Sequence, residues 1–216
     1  MKKNFKYFYD FGKVTAANHY NKNKKKNISF KLIRNKFDGT LKFKNKIEFS
    51  KIKPTNKIFF KEPDFHLEFL ASYLNDFTFN KVVGMTYKDF PLVDLVTRKK
   101  NFSNKFKISI SKMLNLSLKE SPETVLEKFT KCTSKLEKKE KSLIIFRHIW
   151  EHVFDHKNLL KKTFNHFSKE SIFLIEVPCS EYQIKNLDYT MLWEEHVYYF
   201  NKKGFINTLT DAKMRV

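Results

Sequence analysis

Three histidines and a glutamate in the middle of the chain are residue types that can bind metal ions and transfer protons. His148, His152 and His156 follow one another every four residues, a spacing that places them on one face of a single α-helix. The segment from His148 to His152, with Glu151 inside it, also has the His-x-x-Glu-His pattern of a class of zinc peptidases. No third ligand with a supporting helix stands out downstream. We therefore predict no metal site: His152 is expected to pack or pair locally, and His148 to line the mouth of a pocket.

The pattern around these histidines is a strand, a helix and a second strand. The apolar runs 142–146 and 171–177 do not alternate, which is typical of strands buried on both faces. A helical pattern over 149–167 joins them, as in the crossover of a parallel sheet. The polar residues near the ends of the two strands are Arg147, His148, Glu176 and Cys179. Because such sheets bind ligands beyond the carboxyl ends of their strands, we expect these side chains to share one crevice.

Helical and extended patterns also alternate upstream of this unit. Helices are predicted over 64–76 and 92–98, and a third from Ser121, a suitable N-cap, to about residue 139. Strands are predicted over 79–85 and 105–110. The alternation indicates an α/β fold with a mainly parallel sheet.

The first part of the chain has a different character. Two short strands are predicted around an Asp38-Gly39 turn within 31–43, and a third over 47–52. We interpret residues 1–60 as a basic N-terminal extension or a small β-rich cap, and residues 61–216 as the α/β domain.

The chain is strongly basic, with 43 Lys and Arg against 23 Asp and Glu and a formal net charge of +20. Such an excess favours a polyanionic partner: nucleic acid, a membrane surface or a phosphorylated substrate. We favour another explanation, an AT-rich coding sequence, because the 24 phenylalanines and the abundant asparagines are raised together with the lysines. The lysines form no basic stripe on a predicted helix, so charge alone does not make nucleic acid the expected partner.

Cysteine usage and hydropathy point to a reducing, aqueous compartment. Cys132 and Cys179 are the only cysteines, and they support neither a disulfide framework nor a zinc ribbon. The N-terminus lacks an apolar signal region, and no run approaches the length of a membrane span. We expect a cytoplasmic protein without a membrane span.

Three stretches in the second half of the chain resemble sequence motifs of one enzyme family. Residues 144–153 resemble an apolar strand ending in His-x-x-Glu-His, residues 173–178 contain Ile-Glu-Val-Pro, and residues 195–200 resemble Glu-His-Val-x-Tyr-Phe. In this order they resemble the class I S-adenosylmethionine-dependent methyltransferases, and most closely the sugar C-methyltransferase-like proteins. The resemblance implies a three-layer, methyltransferase-like (Rossmann-like) fold, shortened before its final hairpin.

The resemblance also implies the site residues. Glu195 and His196 would lie beside the acceptor and assist proton removal from a carbon next to a ketone, a task suited to a histidine whose pKa is near neutral. His148 would complete the catalytic group. The cofactor, S-adenosylmethionine, would contact the loop formed by Thr86, Tyr87, Lys88 and Asp89, together with Arg147. The acceptor would be a sugar or nucleotide-sugar.

The first half departs from the family at the cofactor loop. Gly84 stands where the family has an acidic residue, and Thr86, Lys88 and Phe90 stand where it has glycines that let the backbone approach the cofactor. Asp89 alone matches an acidic position inside the loop. Serines in 108–111 replace the acid that holds the ribose, and the family's cysteine-rich zinc module is not present.

These observations leave several functions open. The first is a methyltransferase acting on a sugar or nucleotide-sugar. The second is a non-catalytic subunit with the methyltransferase fold that has lost cofactor binding. A lesser alternative is a zinc hydrolase using the His-x-x-Glu-His segment, and nucleic-acid binding rests on charge alone. For Glu195 and His196, the competing interpretation is an exposed polar pair before an aromatic segment.

Overall fold

The computed structural model describes residues 5–16, 27–47, 63–103, 106–133 and 140–216. It divides the chain into two compact units, which are interleaved in sequence. Unit 1 comprises 1–59, 151–156 and 177–216, and unit 2 comprises 60–150 and 157–176. The boundary expected near residue 60 is therefore one of several, because two later segments also belong to unit 1.

Unit 2 is built on a parallel sheet. Its strands are β4 (Lys81–Gly84), β5 (Lys107–Ser109), β6 (Ser142–Arg147) and β7 (Ile172–Glu176), in the order β5-β4-β6-β7, and every neighbouring pair is parallel. All six residues of β6 are buried, as its unbroken apolar run predicts, but β7 is half-buried along its length. The expectation of burial on both faces is thus confirmed for β6 and wrong for β7, which lies at the edge of the described sheet.

Helices accompany the strands of unit 2. They are α1 (Asp64–Tyr73), α2 (Phe90–Lys99), α3 (Ile110–Met113), α4 (Pro122–Lys131) and α5 (His156–His166), whose first residue belongs to unit 1. The core packs Leu92 and Val96 of α2 against Val82 of β4 and Ile145 of β6. Ser121 caps α4 as predicted, its Oγ accepting from the Thr124 N–H at 3.3 Å. Unit 2 is therefore a mixed α/β structure, compatible with a Rossmann-like arrangement.

The helix predicted over 149–167 begins later than expected. Residues Trp150–His152 form a single 3₁₀ turn, and α5 begins at His156. His148 has φ of 51°, in the left-handed region that interrupts a right-handed helix. Trp150 is fully buried and packs edge-on against Phe146 at 5.7 Å between ring centroids. Tertiary packing of Trp150 therefore overrides the helical periodicity that the sequence shows.

Unit 1 contains an antiparallel sheet. Its strands are β1 (Phe5–Thr15), β2 (Asn27–Asn35), β3 (Leu41–Phe43) and β8 (Tyr198–Tyr199), in the order β1-β2-β3-β8. The predicted Asp38-Gly39 turn joins β2 and β3; Gly39 has φ of 80°, and the Asp38 Oδ1 accepts from the Thr40 N–H at 2.9 Å. The third predicted strand, 47–52, lies outside the described residues except for Ile47. Alternate residues of β2 enter the apolar core.

Two further helices belong to unit 1, α6 (Glu181–Lys185) and α7 (Lys202–Asp211). Asn201 caps α7, its Oδ1 accepting from the Gly204 N–H at 2.7 Å. In the described part of the chain, the sheet of unit 2 contains parallel pairs only. No helix in that part is both long enough and apolar enough to cross a membrane.

Gly204 provides a test of the packing of unit 1. A Cβ at this position would overlap the Oγ1 of buried Thr40. We expect Gly204→Ala to lower the free energy of unfolding by about 1 to 3 kcal/mol, measured by urea denaturation. Thr210→Ala, on an exposed position of the same helix, is the control and should change it by less than about 0.5 kcal/mol.

The double variant Thr40→Ala with Gly204→Ala should recover part of the loss, since the overlapping oxygen is gone. Equal unfolding free energies for Gly204→Ala and the unmodified chain would contradict the close approach of α7 to Thr40.

Candidate functional site

The carboxylate of Asp89 joins the ends of two neighbouring strands of unit 2. It is fully buried just before α2, in the loop that follows β4. Its Oδ2 accepts from the Thr86 N–H at 2.7 Å, and its Oδ1 accepts from the Arg147 N–H, at the end of β6, at 2.8 Å. The loop 86–89 is thus held against β6 by hydrogen bonds to one side chain.

Burial raises the pKa of Asp89 to about 7, although the N–H donors of Thr86 and Arg147 and the charge of Arg147 act in the opposite direction. Between pH 3.8, its ordinary pKa, and about pH 7, Asp89 keeps a proton in the folded state that it has released in the unfolded state. Asp89 therefore lowers the stability of the fold as pH rises through this window.

A buried ion pair continues the network from β6 to β7. The Arg147 side chain has no exposed surface, and its Nε donates to Glu176 Oε2 at 2.6 Å. Its Nη1 donates to the Lys88 carbonyl at 3.2 Å, and the Lys88 Nζ donates to the His148 carbonyl at 2.9 Å. The residues expected to surround a cofactor are therefore brought together, and they bind one another.

Glu176 collects three cationic or histidine partners. Besides Arg147, its Oε1 lies 2.8 Å from His66 Nε2 and 3.5 Å from His148 Nε2. Burial by itself would raise the pKa of Glu176, but the hydrogen bond from His148, the charge of Arg147 and the hydrogen bond from His66 lower it to about 2. Glu176 is therefore ionised throughout the physiological range.

His66 is a participant that sequence reasoning missed. It lies on α1, a long way along the chain from Glu176, and its side chain is 36% exposed. No local pattern connects a histidine on an amphipathic helix with a glutamate at the end of a later strand. Only the packing of α1 beside the sheet brings the two side chains together.

The serine hydroxyls at the end of β5 also make hydrogen bonds within the protein. Ser109 caps α3, its Oγ accepting from the Lys112 N–H at 3.4 Å, and the buried Ser111 donates to the Met85 carbonyl at 3.4 Å. These are the hydroxyls that stand where the resembling family has its ribose-binding acid. Both are engaged within the protein.

A second polar cluster lies in unit 1. Glu151 and His152 come from the 3₁₀ turn, and His196 comes from the segment before β8. The His152 and His196 rings meet edge to face at 5.0 Å between centroids, and His152 Nε2 is 3.9 Å from Glu151 Oε1. One ligand-type atom from each of the three residues lies within 4.8 Å of those from the other two.

Aromatic side chains surround His196. Its ring stacks on Trp193 at 6.5 Å and lies 6.2 Å from Tyr199. Tyr199 donates from its hydroxyl to the Trp193 carbonyl at 2.9 Å, and burial raises the pKa of Tyr199. Glu195, next in sequence to His196, is half-buried.

The structure assigns the expected site residues to two different units. Unit 2 holds Thr86, Tyr87, Lys88, Asp89, Arg147, His148 and Glu176, and unit 1 holds Cys179, Glu195 and His196. His148, expected among the catalytic residues, interacts with Glu176 of unit 2. Of the His-x-x-Glu-His segment, only Glu151 and His152 join the cluster of unit 1.

Comparison with known proteins adds no identification. No protein-family model matches the chain, and no curated protein matches it. What the protein does is therefore inferred from the geometry of these two clusters and from the residues that resemble a known family.

Glu176 provides a test of the network in unit 2. Glu176→Gln leaves the buried Arg147 guanidinium without its anionic partner, so we expect the free energy of unfolding at pH 7 to fall by about 3 kcal/mol. Because the pKa of Glu176 is lowered from 4.5 to about 2, its contribution is fully present above pH 4.5 and is lost as pH falls toward 2.

The difference between the two proteins should therefore shrink across that interval, measured by denaturant unfolding at several pH values. Glu170→Gln, an exposed glutamate of unit 2, is the matched control and should behave like the unmodified chain. A Glu176→Gln effect that does not change with pH would contradict the ion pair.

Proposed function

We propose that this chain is a non-catalytic protein with the methyltransferase fold that binds a sugar or nucleotide-sugar and does not bind S-adenosylmethionine. The observation that carries the proposal is the buried Asp89 carboxylate, which accepts hydrogen bonds from the backbone N–H groups of Thr86 and Arg147. These groups lie where a ligand at the end of a parallel sheet finds its donors.

The strand order supports the fold assignment. Strands β5-β4-β6-β7 of unit 2 correspond in order to the second, first, fourth and fifth strands of the family that the sequence resembles. The chain moves outward from β4 to β5 and then crosses to β6, so the topological switch point lies between β4 and β6. Ligands of doubly wound sheets bind at such a point.

The contacts at the switch point favour loss of the cofactor. A Gly-rich loop leaves its N–H groups unengaged and lets a ligand come close to the backbone. Here the Asp89 carboxylate accepts from those donors. Arg147 donates to the Lys88 carbonyl, and Lys88 donates to the His148 carbonyl. Met85 and Thr86 are also fully buried. The protein's own carboxylate thus takes the place in which a bound ligand would accept these hydrogen bonds.

A basic groove in unit 1 supports an anionic ligand such as the diphosphate of a nucleotide-sugar. The groove is open and measures about 660 Å³, and its charged lining residues are Lys6, Arg34, Lys36, Asp38 and Lys203. The carboxylate of Asp38 already accepts hydrogen bonds from Asn35, Thr40 and Asn207. The four cations are therefore the groups that face a ligand, and they suit phosphate oxygens.

The second candidate is a working S-adenosylmethionine-dependent methyltransferase. It is favoured by the position of His196, which lies beside Glu151 and His152 in unit 1 and is next in sequence to Glu195. The resemblance assigns Glu195 and His196 to the acceptor. A carboxylate–imidazole cluster is more than a binding protein needs, so the two candidates must be separated by experiment.

Isothermal titration with S-adenosylmethionine separates the candidates. The proposal predicts no binding heat at millimolar cofactor, because the donors of the loop are occupied. A second titration uses Asp89→Gly, which removes the competing carboxylate. Saturable heat from the unmodified chain would overturn the proposal and leave the methyltransferase as the explanation.

Titration with uridine diphosphate tests the groove. We expect the double reversal Lys36→Glu with Lys203→Glu to weaken binding at least about tenfold, because each reversal changes the local charge by two units. Lys185→Glu, an exposed lysine of α6 outside the groove, is the control. Equal affinities for the two variants, or no binding by the unmodified chain, would remove the nucleotide from the proposal.

A further inference from the structure

We propose that Glu151, His152 and His196 form a binding site for a divalent transition-metal ion, with Zn²⁺ as the ion that their chemistry favours. The three residues come together only in the folded unit 1: two from the 3₁₀ turn and one from the segment before β8. The proposal does not depend on the proposed function, because it concerns an ion that binds without cofactor or sugar.

The donor set is suited to such an ion. Two imidazole nitrogens and one carboxylate oxygen are the protein ligands of many catalytic zinc sites, which leave a fourth position for water or a substrate oxygen. The same set also binds Fe²⁺. Hard ions such as Mg²⁺ and Ca²⁺ prefer sites made only of oxygen ligands. The imidazoles of His152 and His196 thus select a transition metal.

The carboxylate of Glu151 is an independent indication that the cluster holds a cation. Its side chain is 2% exposed, and neither of its oxygens has a hydrogen-bond partner among the described residues. Its Oε1 lies 3.9 Å from His152 Nε2, which is beyond hydrogen-bond length. A buried carboxylate without hydrogen bonds is costly, and a cation bound to it would offset this cost.

The distances are compatible with coordination after a small adjustment. The three ligand-type atoms lie within 4.8 Å of one another. Ligands of a tetrahedral zinc site, at about 2.1 Å from the metal, are about 3.4 Å apart. Coordination would therefore bring the most widely separated of these atoms closer together by up to about 1.4 Å.

The four-residue spacing of the histidines does not predict this set of ligands. A single helix through His148 and His152 would have paired those two histidines. The left-handed conformation of His148 and the turn at Trp150–His152 break that helix, so that His152 meets His196. Coordination would also occupy a nitrogen of His196 that proton transfer requires, which gives this residue a different role from the one implied by the resemblance.

The experiment uses the full chain, stripped with a chelator and titrated with ZnCl₂ in the absence of cofactor and sugar. We expect one Zn²⁺ to bind per chain, and Co²⁺ to give the visible absorption of a tetrahedral site with nitrogen and oxygen ligands. Glu151→Gln and His196→Asn should each weaken binding at least about tenfold, since even residues outside the coordination sphere can have effects of this size.

His148→Asn is the matched control, because this histidine is adjacent in sequence but contacts Glu176 in unit 2. It should keep the affinity of the unmodified chain. Equal zinc affinity in all three variants would show adventitious binding to surface histidines and would overturn the proposal. Absence of binding at millimolar Zn²⁺ would overturn it as well.

The change in melting temperature on adding zinc provides a second measurement of binding, which is needed if a variant folds poorly. Zinc should raise the melting temperature of the unmodified chain in a concentration-dependent way, because it binds the folded state. Glu151→Gln removes the buried charge but keeps the size of the side chain. Its melting temperature should not respond to zinc, while circular dichroism confirms that it is folded; a response equal to that of the unmodified chain would contradict the site.

Discussion

Unit 2 depends on one buried carboxylate that holds two strands and a loop together. Asp89 accepts from the Thr86 N–H of its own loop at 2.7 Å and from the Arg147 N–H at the end of β6 at 2.8 Å. Arg147 then continues the connection to Glu176 on β7. Asp89, Arg147 and Glu176 each have a partner of opposite charge or a backbone donor, which offsets part of the cost of their burial.

This arrangement replaces the usual way of using the end of a parallel sheet. Proteins that bind a cofactor there leave backbone donors unengaged and use glycine to let the ligand approach. In this chain an aspartate occupies the donors and a lysine binds the neighbouring carbonyl. The result is an edge whose backbone donors are already engaged, and for this reason we propose a protein that does not bind S-adenosylmethionine.

The two carboxylates, Asp89 and Glu151, show how environment decides the role of a residue. Both are buried, with side chains that reach almost no solvent. Asp89 accepts two short hydrogen bonds from the backbone, whereas Glu151 has no hydrogen bond among the described residues. The first is explained by structure alone, and the second calls for a cation. The histidines that complete the second cluster therefore matter more as ligands than their sequence spacing suggested.

Local patterns were sufficient for the elements whose sequence agrees with their packing. The apolar run of β6, the Asp38-Gly39 turn and the Ser121 cap were all predictable, because burial, left-handed backbone and N–H capping each require particular residue types nearby. The helix predicted from residue 149 does not begin there, because the free energy gained by burying Trp150 outweighs the small helix propensity of each residue. The partners of Glu176 and Glu151 were decided by tertiary structure alone: His66 and His196 are far from them along the chain, and only folding brings such groups together.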